Sequence, residues 1–362
     1  MDHKAADNRN NITFTAVERV CRQYQQEDPA PDLPGPELLK QHDVQEYIYE
    51  KVFAQGILPS SYALRVLKAL VSEIEASIDD WEEYAVSDNL IQCLANFHSS
   101  SQFATFADAT NKSPVVYYIS ALEEAVANQN NPPTITLLEN RGTIAAVGTT
   151  GIRTWEAALH LGAYLCHNTG LVRGKRIFEL GAGTGYVSVL CAKFLGAAAS
   201  VATDGSSEVV HSLPANLELN GLRDLLTKEV DWGPSPPADW SEWNGDGFDV
   251  ILGADITFDA RDLPDLLATI RWCLAAKAIG DASIEPSQKT VLIAATERNR
   301  KTFDTFAKLA VESFDVEYIA FPLLPRAQQM GPFYSDASPI HICRLRPKGI
   351  SSNEVQLAVP TK

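Results

Sequence analysis

The sequence predicts an α/β fold, a mostly parallel sheet covered on both faces, with a helical region in front of it. Three observations predict it. From residue 176 to residue 345, short apolar runs alternate with amphipathic segments. The first run, "RIFEL" (176–180), leads into "GAGTG", three glycines within five residues, and a helical pattern starts at once. Between 38 and about 127, apolar residues instead recur at helical spacing. Strands separated by helices form parallel sheets buried on both sides.

The bulk numbers set the frame. At 362 residues the chain exceeds one typical domain of about 100–200 residues, so two domains are expected. A hydrophobic content of 45% supplies a large core. The formal net charge of −16 lacks the basic footprint that phosphate binding requires. No nucleic acid and no membrane surface is therefore expected as a partner. A basic partner or a cationic substrate suits this charge, and so does simple solvation. Six cysteines at 21, 93, 166, 191, 273 and 343 form no CxxC pair. They read as reduced thiols, with no disulfide frame and no metal site. The polar start "MDHKAADNRNN" has no apolar segment of a secretory leader, and no run reaches the roughly 18 apolar residues of a membrane span. A cytoplasmic protein is expected.

Along the chain, residues 1–12 read as a frayed tail. "DPAPDLPGPE" (28–37), with four prolines, reads as an irregular connector. Val44, Tyr47, Ile48, Val52 and Phe53 mark a helix that Gly56 closes. "PSSYALRVLKALVSEIEASI", "SDNLIQCLANFHSS" and "PVVYYISALEEAVANQN" read as further helices. The N-terminal helical domain is thus expected over 1–130. Beyond Asn131-Pro132-Pro133, "TITLLENRGTIAAVGTT" reads as a β-hairpin turning at Asn140-Arg141-Gly142. "RTWEAALHLGAYLCHNTG" reads as a helix capped by Thr154 and stopped by Gly170. Strands follow near 176–180, 200–204, 227–232, 248–255, 290–296, 316–321 and 340–345, with helices near 185–195, 206–220, 263–278 and 301–313. The second domain is expected over 131–347, and 348–362 reads as a tail.

The glycine turn carries the chemistry. In open α/β sheets, ligands bind beyond the carboxyl ends of the strands, where the winding reverses. Gly181, Gly183 and Gly185 strip the turn of Cβ atoms, so a ligand can rest on bare backbone beside the free N–H groups of a helix start. A dinucleotide site expects GxGxxG, yet Tyr186 occupies the last position. Glu179, just before the turn, would repel a diphosphate and welcome a cationic amino-acid group, or else merely cap the turn. Asp204 ends the second strand about 20 residues on, the spacing of a carboxylate that accepts from ribose hydroxyls. It equally suits a helix start. Trp232 closes the third strand where an aromatic can flank an adenine, or pack in the core. "GAD" (253–255) ends the fourth. His160 and His341, in apolar runs, read as satisfied core histidines, and Trp240 and Trp243 as a local cluster.

At these residues a family emerges. "ELGAGTG", "ATDGS", "VDWG" and "GADITFD", preceded by "RTWEAALHLGAYL", resemble the seven-β-strand S-adenosylmethionine-dependent protein methyltransferases. Within them the chain is similar to the lysine-methyltransferase group (the family 16 type), and there to the branch acting on eukaryotic elongation factor 2. The resemblance spans about 130–345. It implies a Rossmann-like seven-stranded methyltransferase sheet whose last strand is antiparallel, S-adenosylmethionine as cofactor with S-adenosylhomocysteine as product, no metal, and a monomer. It implies that Trp155 packs by the cofactor and that Gly181, Ala182 and Gly183 form the methionine-binding turn, next to Glu179. It further implies that Asp204 holds the ribose, Trp232 flanks the adenine and Ala254 lies under the cofactor. Asp255 and Phe258 match an Asp-x-x-Tyr element beside the acceptor lysine, with phenylalanine in place of the tyrosine. On that footing Asp255 holds the ε-amine and Phe258 lines its channel. Two alternatives stay open: a binding module on the same fold, and a methyltransferase with a non-lysine acceptor.

Overall fold

The structure is a computed structural model that describes residues 15–56, 58, 60–100, 112–124, 131–141, 151–243, 247–275 and 289–348. The expected tail at 1–12, the tail expected over 348–362 apart from Lys348, the polar loop at 280–288 and the second half of the expected hairpin lie outside those residues. The chain divides into two compact units. One takes Met1–Gly148 with Arg326–Phe333, and the other takes Thr149–Pro325 with Tyr334–Lys362.

The first unit opens with a helix the sequence reading left out, α1 (15–25). Its signal was there: Val17, Val20, Cys21 and Tyr24 are all buried and stand on one helical face. α2 (Pro36–Leu39) and α3 (His42–Ile48) follow, and α3 runs into a π-turn at Tyr49–Phe53. α4 (Ser60–Ser77) and α5 (Asp88–Ser100) complete the helices. They share a core of Tyr24, Ile48, Leu67, Leu70, Ile74 and Leu90.

One expectation is corrected here. "PVVYY" is not helical but forms strand β1 (Ser113–Tyr118), with a single 3₁₀ turn at Ser120–Leu122 behind it. Its β-branched and aromatic residues favour a pleated surface over a helix. Strand β2 (Thr134–Glu139) pairs antiparallel with β1, Val115 opposite Leu137 and Tyr117 opposite Ile135. β1, one partner of β2, thus precedes it; the expected strand after the 140–142 turn lies outside the described residues. The β1–β2 pair lies within the first unit. Arg141 closes the β-ribbon: it donates to Glu139 Oε2 at 3.0 Å, to the Tyr117 hydroxyl at 2.7 Å and to the Gln26 carbonyl at 2.7 Å.

The second unit is the seven-stranded sheet, ordered β5–β4–β3–β6–β7–β9–β8. The strands are β3 (Arg176–Leu180), β4 (Ala199–Asp204), β5 (Leu226–Glu229), β6 (Val250–Ala254), β7 (Thr290–Thr296), β8 (Phe314–Ile319) and β9 (Ile340–Pro347). β9 runs antiparallel between β7 and β8, and the other pairs are parallel. Helices α6 (Glu156–His167), α7 (Tyr186–Lys193), α8 (Ser207–Leu219), α9 (Trp240–Trp243), α10 (Leu263–Ala275) and α11 (Arg300–Ser313) connect them. β3 lies between β4 and β6, so the glycine turn stands where the winding reverses.

Phe178, Ile251, Leu267, Ile270, Ile293 and Phe306 anchor the core between β-sheet, α10 and α11. Trp240, Trp243 and Trp272 pack against it around Phe178 and Phe248, an aromatic cluster as expected. His160 is fully buried, and its ring nitrogens meet the Tyr334 hydroxyl at 3.1 Å and the Phe321 carbonyl at 3.2 Å. It is a satisfied core histidine.

Candidate active site

The carboxyl ends of β3, β4 and β6 and the start of α6 bring the expected residues together. Gly181, Gly183 and Gly185 all adopt positive φ, at 63°, 53° and 86°, which an L side chain resists. Each also has a neighbour. A Cβ on Gly181 would stand 2.5 Å from Ile256 Cγ2 and 3.7 Å from Trp232 Cζ2. A Cβ on Gly183 would stand 3.6 Å from the Gly151 backbone, and one on Gly185 would stand 2.9 Å from Leu213 Cδ2. The bare face of Gly181 is therefore taken up by Ile256 and flanked by Trp232. Two elements meet there, and only their side chains reveal it.

Glu179, the penultimate residue of β3, is 2% exposed. Its Oε2 accepts from the Ser188 N–H at 2.9 Å and from the Ser188 hydroxyl at 2.5 Å, so it satisfies a donor in the first turn of α7. Burial pushes this carboxyl up to about 7. The Ser188 bonds oppose the rise and the neighbouring Asp204 charge adds to it. Asp204, half-buried at the end of β4, accepts from the Gly183 N–H at 3.1 Å and from the Ser206 N–H at 3.0 Å. Desolvation raises its carboxyl too, against the pull of the Ser206, Gly183 and Gly205 N–H groups. Among the described residues, neither acid forms an ion pair. The turn thus carries uncompensated negative charge.

Trp232 is half-buried, its backbone held through Gly233, whose N–H donates to Thr269 Oγ1 at 2.9 Å. Ala254, the last residue of β6, pairs in register with Ala294 of β7. Ala182 donates its N–H to the Thr203 carbonyl at 2.8 Å, which pins the turn to β4.

At the other end of the site, Asp255 sits in the left-handed region at φ 57° and is 9% exposed. Its Oδ1 accepts from the Thr296 N–H at 3.1 Å. Its Oδ2 accepts from the Thr296 hydroxyl at 3.1 Å and from Arg298 Nη2 at 2.9 Å. Arg298 also pairs with Glu156 of α6, and it lies 4.8 Å from the centre of the Trp155 ring. Arg153 lies over the same ring at 4.2 Å and pairs with Glu156 at 3.5 Å. Burial works against the Arg298 charge, but Asp255 and Glu156 more than restore it. Phe258 is 57% exposed just beyond. Asp259 is held by Arg261 at 2.5 Å, and so is not a loose second acid.

Thr154 is not the cap of α6. Trp155 holds the N-cap position without a side-chain capping bond to the helix start, and the Thr154 hydroxyl meets the Thr184 hydroxyl at 2.7 Å. That bond ties the start of α6 to the glycine turn. Arg298, Ser188, Ile256 and Gly151 were not singled out in the sequence. Arg298 and Glu156 stand 142 residues apart, and only the fold joins them.

Comparison with known proteins decides the family. The lysine methyltransferase family matches residues 130–310. The protein-lysine N-methyltransferase EFM3 of Chaetomium thermophilum is 46% identical over 338 residues, 91% of this chain and 97% of that protein. The chain belongs to the lysine methyltransferase family. More distant members agree. EFM3 of Saccharomyces cerevisiae is 34% identical over 193 residues, covering 48% of this chain and 52% of its own. The human protein-lysine N-methyltransferase EEF2KMT is 28% identical over 184 residues, covering 48% and 53%. In this lysine methyltransferase the acid-flanked turn and the Asp255–Arg298–Glu156 group fall on the matched span. The helical elements before residue 130 lie outside the family match, whereas the Chaetomium match takes in 91% of the chain.

Proposed function

We propose that the chain is an S-adenosylmethionine-dependent protein-lysine N-methyltransferase whose acceptor is eukaryotic elongation factor 2. One observation carries the cofactor: Glu179 and Asp204, two shielded carboxylates without a basic partner among the described residues, flank a turn of positive-φ glycines. That charge surplus fits a ligand with an α-ammonium and a sulfonium, and opposes a diphosphate. The donor set fits the cofactor, and no metal ligand cluster occurs among the described residues.

When bound, the cofactor supplies an electrophilic methyl group. The chain's residues do the rest. Glu179 offers its second oxygen to the cationic amino-acid end, Asp204 the ribose hydroxyls, Trp232 a flank for the base, and Trp155, Ala182 and Ala254 the walls. Holding donor and acceptor in line accounts for several kcal/mol of barrier reduction. Asp255 borders the acceptor amine with the remaining lone pair of Oδ1, and Phe258 lines the approach. A phenyl ring supplies an apolar wall but no hydroxyl, so amine orientation falls to Asp255.

Lysine as acceptor is supported by family membership. Elongation factor 2 is supported by the motif wording and by the name EEF2KMT of the human relative. The test is incubation of the purified chain with labelled S-adenosylmethionine and purified elongation factor 2, followed by peptide mass spectrometry. A methylated lysine is expected. Elongation factor 2 left without label would overturn the acceptor. Label on a residue other than lysine would overturn the amine chemistry.

A further inference from the structure

We infer that Arg298 makes the acceptor end of the site charge-neutral, so that a lysine is taken as the free amine and not as the ammonium ion. The inference rests on the function proposed above and adds a positioning residue to it.

The charges around Asp255 come from every element packed there. Arg298 follows β7, Glu156 opens α6, and Arg153 precedes α6. Thr296 adds two neutral donors. Glu297 and His341, next along, pair with each other at 2.8 Å, and Glu297 also pairs with Arg300. Two guanidinium groups thus balance two carboxylates. An uncompensated Asp255 would behave differently. It would hold an ammonium as an ion pair and raise the amine's pKa. The protonated nitrogen then has no lone pair with which to take a methyl group. With Arg298 on Oδ2, an arriving ammonium meets a matched carboxylate and a nearby positive charge, which favours loss of its proton to water. The guanidinium is 40% exposed while the Asp255 carboxylate is 6% exposed, so the cation, not the anion, faces the approaching side chain.

The side chain that holds this arrangement must reach two acids at once. Arg298 does that through one terminal nitrogen, Nη2, which meets both Glu156 and Asp255. Arg298→Lys keeps the charge and therefore rescues the pH behaviour even if Glu156 is released.

The test begins with binding. The protein is saturated with S-adenosylhomocysteine, and n-butylamine, a lysine side-chain mimic, is titrated at pH 7 against 1-butanol as the uncharged control. Arg298→Gln is expected to bind n-butylammonium at least about tenfold more tightly than the wild type, with butanol affinity unchanged. With saturating elongation factor 2 as acceptor, the acid limb of the kcat profile, which reports the bound amine, is expected to move alkaline by about one pH unit in Arg298→Gln, and to stay in place in Arg298→Lys. Equal changes for amine and alcohol, with superimposed pH profiles, would overturn the inference and leave Arg298 as a structural clamp. Failure of wild-type protein to bind S-adenosylhomocysteine at all would overturn the function reading first, and this inference with it.

Discussion

Glu179 Oε2 accepts both the N–H and the hydroxyl of Ser188, nine residues further along and across the glycine turn. The bond closes the strand–turn–helix unit on itself and leaves the carboxylate buried in the process. A buried acid held near pH 7 is a strained element that a cationic ligand relieves.

The first prediction follows from that strain. The Glu179 carboxyl is raised to about 7 in the fold from an ordinary value near 4.5. A raised carboxyl contributes stability that is complete below the lower value and fades as pH climbs through the upper one. Glu179→Gln mimics the protonated form. It is therefore expected to raise the melting temperature of the ligand-free protein at pH 8 by a few degrees, on the order of 2 kcal/mol, and to leave it unchanged at pH 4.5. The same variant should bind S-adenosylhomocysteine more weakly. Scanning calorimetry at the two pH values checks it, and a lower melting temperature at pH 8 contradicts it.

His160 has the opposite sign. Burial lowers its ring to about 4 from 6.5, with the Phe321 carbonyl pulling the other way. A lowered histidine contributes stability that is present above 6.5 and lost as pH falls toward 4. The two groups partly cancel in the whole protein, so each is read as a difference. His160→Gln is expected to cost stability at pH 7.5 through its core contacts, and that cost should shrink toward pH 5. A cost independent of pH would place the histidine's titration elsewhere.

Asp204→Asn tests the ribose carboxylate. A hydrogen bond to a charged group contributes about 1.5–3 kcal/mol, so S-adenosylhomocysteine affinity should fall by about tenfold or more. Because the carboxylate also accepts from Gly183 and Ser206, a modest drop in melting temperature accompanies it. Unchanged affinity by calorimetric titration removes Asp204 from the ligand.

Ile256 offers a packing test. A Cβ on Gly253 would stand 2.4 Å from Ile256 Cδ1 and 3.1 Å from Ile293 Cδ1. Gly253→Ala is expected to cost about 1–3 kcal/mol by overpacking. Ile256→Val removes the Cδ1 atom that clashes, so the double variant should recover part of the loss. A double-mutant cycle in urea reads the coupling, and strict additivity would show that Ile256 does not press on β6.

Much of this was legible in the sequence. The β3–turn–α7 unit, the alternation through β7 and the acids at 179, 204 and 255 all follow from local pattern and spacing. β1 was misread because "PVVYYISALEE" satisfies helical spacing while its β-branched residues favour a strand, and only pairing with β2 decides between them. The filling of Gly181 by Ile256 and the Arg298 bridge were not legible, since both join residues that no local period connects.

The most direct measurement is isothermal titration of the wild-type protein with S-adenosylmethionine, with a nicotinamide dinucleotide in parallel. The account expects one site per chain for the methyl donor, weakened by Asp204→Asn, and no heat from the dinucleotide. Silence with the methyl donor, or a saturable dinucleotide signal at the same turn, would contradict it.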